Sequence, residues 1–327
     1  SLRDLLVSVG PFLLLAVLML GGAYWWLDPN PPKTVRLATG PAQSAYANFG
    51  QRYAKALAKD GISVQLVATQ GSADNLRLLR EGAVDLGFVR GGTADPAELE
   101  DANLESLGSL FLEPVWLFYR EAVAPADTTP PQTLDSLTQL QGLRVNVGTP
   151  GSGIPNLMGK LLESNRIAPT ALTLSQLEQT PATVALLAGE LDAIVFASAP
   201  ESSLVQMLLQ TPGIKLMDFA QNEAYSRRFS FVSPVVLPRG VVDLAANIPA
   251  RNVRLIAPTT TLLTRDGTHP ALLQLFALAG NTICDFECSN YVMQAYDGDG
   301  AKSLGLLKTY LYRTDEEAPH IEGGPRK

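Results

Sequence analysis

Histidine and cysteine are nearly absent from this sequence, with two of each among 327 residues. So few imidazoles and thiols exclude most metal centres and most imidazole or thiol catalysis. Cys284 and Cys288 have no histidine near enough in sequence to complete a metal site, so no metal is expected. Charged residues make up only 17% of the chain, the net charge is −7, and there is no long basic run. That balance excludes nucleic acid as a partner. The chain is instead rich in apolar residues, at 46%, and carries 27 glycines. Its length suits two cores plus an appendage better than a single core.

One stretch, Gln70 to Val89, organises the rest. Gly71 supplies a turn, Ser72 reads as an N-cap, and Ala73, Leu76 and Leu79 fall on one helical face. Gly82 stops that helix, and Asp85 to Val89 reads as a buried strand. An echo follows at Leu186 to Phe196, where Gly189 and Asp192 repeat the Gly-x-x-Asp spacing. Each copy is preceded by a strand, a glycine turn and a helix. The first runs from Thr34 to Gly40 and into Tyr53, Ala54 and Leu57. The second runs from Arg144 to Gly153 and into Ile154, Leu157, Met158, Leu161 and Leu162. The order predicts two α/β lobes whose loops gather at the carboxyl ends of the strands, where open sheets bind ligands.

Leu107 to Tyr119 is extended and interrupted at Glu113-Pro114, which makes it the expected first crossing between lobes. Phe229 to Pro234 is the expected return, and Val253 to Ala257 and Thr260 to Leu263 are expected to close lobe 1. The division expected is a transmembrane anchor at 5–27, a proline-rich spacer at 28–33, a discontinuous lobe 1 at 34–118 plus 230–312, lobe 2 at 119–229, and a polar tail at 313–327. The anchor assignment rests on an uncharged run of the length a bilayer core requires, about 20 residues. Tyr24, Trp25 and Trp26 suit the headgroup boundary. Arg3 before the span and Asp28 after it place the N-terminus in the cytoplasm and the lobes on the extracytoplasmic, periplasmic side of the inner membrane. A cleaved signal peptide, with Gly21-x-Ala23 as its small-residue site, is the alternative.

Gly148-Thr-Pro-Gly-Ser-Gly153, after a strand and before a helix, reads as a small-anion loop or as a tight structural turn. It departs from both nucleotide-binding glycine motifs: Gly159-Lys160-Leu161 lacks the hydroxyl residue after lysine, and Asn156 stands where a dinucleotide fingerprint has its third glycine. Ser152 lies in Pro-Gly-Ser-Gly-Ile rather than Gly-x-Ser-x-Gly, with only His269 and His320 as bases, so a serine hydrolase is disfavoured. No catalytic residue and no cofactor is expected. Arg90 either points into the interlobe gap to pair with a carboxylate or lies exposed on a loop. Tyr46 either contacts a ligand or packs in the core. Cys284 and Cys288, four apart, are within reach of a short-loop disulfide outside the cytoplasm.

Three stretches together resemble the TAXI family of TRAP-associated extracytoplasmic solute receptors: Thr39 to Tyr46 with Gly50, Thr69 to Asp85, and Gly142 to Gly153. The resemblance implies a type II periplasmic binding protein-like fold, with two lobes closing on a small organic anion, a dicarboxylate or glutamate-like molecule, for a TRAP-type membrane permease. It implies that Thr39, Gly40, Tyr46, Thr69, Gly71, Ser72, Asn75, Gly151, Ser152 and Gly153 line the gap. Ser44 and Arg90 join this ligand-binding set, as do Ala197 and Ser198 from topology. Pro41, Ser44, Gln70 and Ile154 depart from the family pattern, changes that narrow the pocket or alter its ligand. A sensory or scaffolding module with the same closing fold is the alternative function.

Overall fold

A computed structural model describes residues 13–22, 32–42, 44–124, 133–200, 202–287, 294–296 and 301–302. The 313–327 tail, Cys288, His320 and most of the 28–33 spacer lie outside the described residues. Within the 5–27 span, residues 13–22 are helical and their apolar side chains are exposed. No helix among the described residues is long and apolar enough to cross a membrane.

The first sheet begins with β1 (Thr34–Ala38), β2 (Ser63–Val67) and β3 (Leu86–Arg90), linked by α1 (Ala45–Leu57) and α2 (Ser72–Glu81). After α3 (Pro96–Asp101) and β4 (Leu104–Leu112), the chain passes through Glu113-Pro114 into β5 (Val115–Arg120) of a second sheet. That sheet adds β6 (Arg144–Asn146), β7 (Thr173–Ser175), β8 (Ala193–Ala197) and β9 (Ile214–Leu216). Its helices are α4 (Ile154–Ser164), α5 (Gln179–Ala188), α6 (Ser203–Gln210) and α7 (Asn222–Arg228). The chain then returns through β10 (Val232–Leu237) and β11 (Val253–Arg265) to α8 (Pro270–Glu287), β12 (Gln294–Tyr296) and β13 (Ala301–Lys302).

The two sheets share a plan. In the first, β1 lies parallel between β2 and β3, and β11 runs antiparallel beside β3. In the second, β6 lies parallel between β7 and β8, and β5 runs antiparallel beside β8. Each lobe therefore takes its antiparallel strand from a segment that also connects it to the other. β5 lies wholly in the second sheet, so the chain changes sheets at Glu113-Pro114 rather than at 118/119. The two closing strands expected at 253–257 and 260–263 are one continuous strand, β11. Its first half pairs with β10 and shares a core with Trp116, Phe118, Leu157 and Phe219, whereas its second half pairs with β3 and β4. Pro258 does not break it, because the carbonyl still accepts from Glu113 N–H at 2.9 Å.

The repeated Gly-x-x-Asp spacing is a staple. Asp85 accepts the backbone N–H of Arg36 in β1 at 2.7 Å, and Asp192 accepts that of Arg144 in β6 at 2.9 Å. Each arginine also reaches back to a glycine carbonyl, Gly82 at 3.3 Å and Gly189 at 2.8 Å. The aspartate thus ties the incoming strand to the central one in both lobes. Apolar cores then fix the layers, with Tyr46, Tyr53, Phe88 and Phe276 together behind the first sheet.

Candidate functional site

The two glycine turns meet face to face. Gly71, at the N-terminus of α2, has φ +135°, a backbone shape open to glycine, and a Cβ there would lie 3.1 Å from Ser152 Cα of the other lobe. Gly153, at φ +77°, stands equally close to Ser72, whose Cβ is 3.2 Å from the position a side chain would take. Three polar contacts across this gap follow. Arg90 Nη1 donates to Ser152 O at 3.1 Å, Asn156 Nδ2 donates to Thr93 O at 3.0 Å, and Lys160 pairs with Asp95.

Beneath the turns sits a buried ion pair. Arg90 Nε donates to Glu113 Oε2 at 2.9 Å, and both side chains are almost wholly excluded from solvent, at 5% and 6% exposure. Tyr46 Oη donates to the same oxygen at 2.8 Å, and Thr260 Oγ1 stands 3.3 Å away. Burial opposes the guanidinium charge, but Glu113 and Tyr46 outweigh it and hold Arg90 above the ordinary arginine range. Burial is also the main cause that pushes the Tyr46 phenol above its usual range; Arg90 opposes the shift and Glu113 adds to it. The tyrosine therefore stays a donor. Arg90 is neither exposed nor free for an outside carboxylate along its whole edge, because the chain supplies a carboxylate of its own.

Ser72 is fully buried and is the first residue of α2 rather than its N-cap, which is Gly71. Its hydroxyl accepts Arg90 N–H at 2.6 Å and meets Thr93 Oγ1 at 2.7 Å, fixing the end of β3 against the helix. Thr69 Oγ1 lies 2.6 Å from both Thr39 O and Asn75 Oδ1, and Asn75 Nδ2 donates to Phe88 O at 2.8 Å. This chain of bonds braces the first turn. Gly40 lies against Ser44, and Ser44 caps α1 by accepting Ala47 N–H at 3.2 Å. Ser152 Oγ donates to Thr149 O at 2.6 Å and accepts Ile154 N–H at 3.2 Å, so its proton is directed to its own turn and not to a base. Gly151 is buried beside Gln70 and Asp74. Ala197 ends β8, and Ser198 bonds to Trp116 and Pro114, next to the crossing rather than at the two turns. His269 accepts Ala271 N–H at the start of α8.

Glu113, Thr93, Asn156 and Thr260 were not among the expected site residues. The signal for Glu113 was in plain view: it is an acid within an apolar extended run, at the point where that run breaks. Thr93 and Asn156 carry no such signal, since their role depends on the two lobes meeting.

Together the elements bring the two glycine turns into contact across the gap between the lobes, with the Arg90 guanidinium bonded across it. Such a gap can hold a small polar molecule by hydrogen bonds from both lobes. The fold is similar to that of a protein from Bordetella bronchiseptica RB50, with a TM-score of 0.51 at 16% identity over 78% of this chain and 73% of that one. It is similar also to the effector-binding domain of a BenM variant, with a TM-score of 0.50 at 14% identity over 79% and 97%. The alkanesulfonate-binding protein SsuA from Xanthomonas axonopodis pv. citri, bound to MOPS, aligns with a TM-score of 0.49 at 16% identity over 77% and 73%. At identities of 14% and 16%, the first two likenesses show the fold alone. The NMT1-like family matches residues 37–270, and the chain belongs to that family.

Proposed function

We propose that this protein is a solute-binding receptor that captures a small organic anion between its lobes, not an enzyme. The observation that carries this reading is the convergence of Gly71 and Ser72 with Gly151, Ser152 and Gly153 above Arg90. Opening at Glu113-Pro114 and along β11 would part the two turns and release Arg90 Nη1 from Ser152. A carboxylate could then take the place of that carbonyl, with N–H groups of the turns adding donors. Closure over the ligand remakes the cross-lobe bonds, the hinge behaviour of many two-lobed binding proteins.

The receptor is further proposed to be a TAXI-type member that serves a TRAP-type permease. It would be held to the inner membrane by the 5–27 segment, with its lobes on the periplasmic side. The exposed apolar side chains of helical residues 13–22, such as Leu14, Leu18 and Leu20, support that placement. Tethering keeps the receptor at high local concentration near one transporter.

A thermal-shift screen with small carboxylates tests the receptor reading: stabilisation by at least one, lost in Arg90→Lys, supports it, and no response to any carboxylate contradicts it. Uptake of that carboxylate into vesicles holding the permease, only when the receptor is present, tests the transport role.

A further inference from the structure

Lobe 2 leans on lobe 1 beside the two turns as well as at them. Gly153, Asn156 and Lys160 follow one another at helical spacing and share the face of α4 that meets lobe 1. Asn156 Nδ2 donates to Thr93 O at 3.0 Å, and one turn further along the Lys160 ammonium pairs with Asp95. The lysine of Gly159-Lys160-Leu161, which does not fit a phosphate loop, has its use here.

The lobe 1 side is shaped to receive it. Asp95 stands at the N-cap of α3, where an aspartate ordinarily accepts an N–H of its own helix, yet its side chain makes no such bond. The carboxylate goes to Lys160 instead. The ammonium is also seated against the Phe231 ring, whose centroid is 6.0 Å away. Phe231 in turn packs where only glycine leaves room, since a Cβ on Gly92 would lie 2.6 Å from its Cε2. Thr93 joins this rim to the turns: its carbonyl takes Asn156, and its hydroxyl meets Ser72 at 2.7 Å.

We propose that Asn156 and Lys160 of lobe 2, with Thr93 and Asp95 of lobe 1, form a latch that draws the lobes together without a ligand, at a strength set by salt. Each of its bonds joins protein to protein, so no ligand atom is needed to make it. The inference holds whatever the ligand is and shares with the receptor reading only the hinge. The Asp95 side chain is 66% exposed and that of Lys160 27%, so dissolved ions screen the pair. A ligand enters between parted lobes, and the latch therefore slows capture at low salt.

Spin labels at the exposed positions Lys59 in lobe 1 and Glu190 in lobe 2, with both native cysteines replaced by alanine, report lobe separation in the ligand-free protein. Raising sodium chloride from about 0.05 M to about 0.5 M should increase the open-to-closed ratio about two- to fivefold, the range for an exposed pair. Lys160→Glu and Asp95→Lys should each increase it about tenfold, because each sets like charges face to face. Combined, they restore the pair, and the ratio should return to within about twofold of the unmodified value. Asn156→Ala should increase it about two- to tenfold and leave the salt dependence in place. A ratio indifferent to salt in the unmodified protein, or a double variant that opens as far as both single changes together predict, would overturn the latch. So would a ligand-free protein with no closed population. These results leave the receptor reading standing, since the carboxylate thermal-shift screen decides that separately. Should a charge reversal prevent folding, Lys160→Met takes its place: loss of the salt dependence supports the latch, and its retention overturns it.

Discussion

The two lobes carry the same arginine–aspartate staple at different depths. In lobe 1 the Arg36 and Asp85 side chains are 45% and 33% exposed, and their charged ends stand 3.6 Å apart. In lobe 2 Asp192 is only 11% exposed and takes two close side-chain bonds from Arg144, at 2.7 and 3.0 Å, besides the backbone bond. The repeat in the sequence therefore encodes scaffold, and its spacing alone says nothing about strength. Depth decides that: a charge-assisted bond gains little where water competes and more where it is sheltered. The division of labour across the gap is just as uneven. Lobe 1 brings the buried Arg90 and Glu113 and the Asp95 carboxylate, while lobe 2 brings turn backbone, the Asn156 amide and the Lys160 ammonium.

The comparison can be pressed hardest at the crossing, where the arginine–carboxylate pair is deepest. Arg90→Ala leaves Glu113 buried without its counter-charge and should cost about 3–5 kcal/mol, read from urea unfolding. Asp192→Ala strips Arg144 of its sheltered partner and should cost about 2 kcal/mol. Its pH dependence has a definite sign. Hydrogen bonding from Arg144 is the largest cause holding the Asp192 carboxyl below the ordinary range, against an opposing effect of burial. Its contribution is thus fully present above the unfolded carboxylate value, about 3.9, and is lost as pH falls through the lower folded value. The stability gap between the unmodified protein and Asp192→Asn should accordingly narrow in acid below about pH 4. Gly153→Ala places a side chain at φ +77° against Thr93 and Ser72 and should cost about 1–2 kcal/mol, with weaker closure seen as faster hydrogen exchange of the turn amides. Asp85→Ala should cost less than about 1 kcal/mol. Equal losses in Asp85→Ala and Asp192→Ala would show that depth does not set the strength of the staple.

Much of the scaffold was legible because periodicity survives in a single chain. The strand–turn–helix order of each lobe follows from local spacing, and the helices of Leu76 and Leu79 and of Leu157 and Leu161 bury the faces that spacing indicates. The site was legible only in part. Its turns announce themselves through glycine, but hydroxyl roles do not: Ser72 reads as a cap yet braces a strand end, and Ser44, expected at the ligand, caps a helix. Glu113 escaped because its partners Tyr46, Arg90 and Thr260 lie 67, 23 and 147 residues away, and no local pattern joins them. β11 reads as two strands because Pro258 lacks an N–H, a loss the fold tolerates where its carbonyl is still used.

The central claim is that the two turns close on a small carboxylate-bearing molecule. Spin labels at the exposed positions Lys59, beside α1, and Glu163, on α4, report the separation of the lobes directly. With saturating malate or glutamate, the distance distribution between them should shift to one short, narrow population. Distributions that stay the same with and without a bound carboxylate would contradict the account.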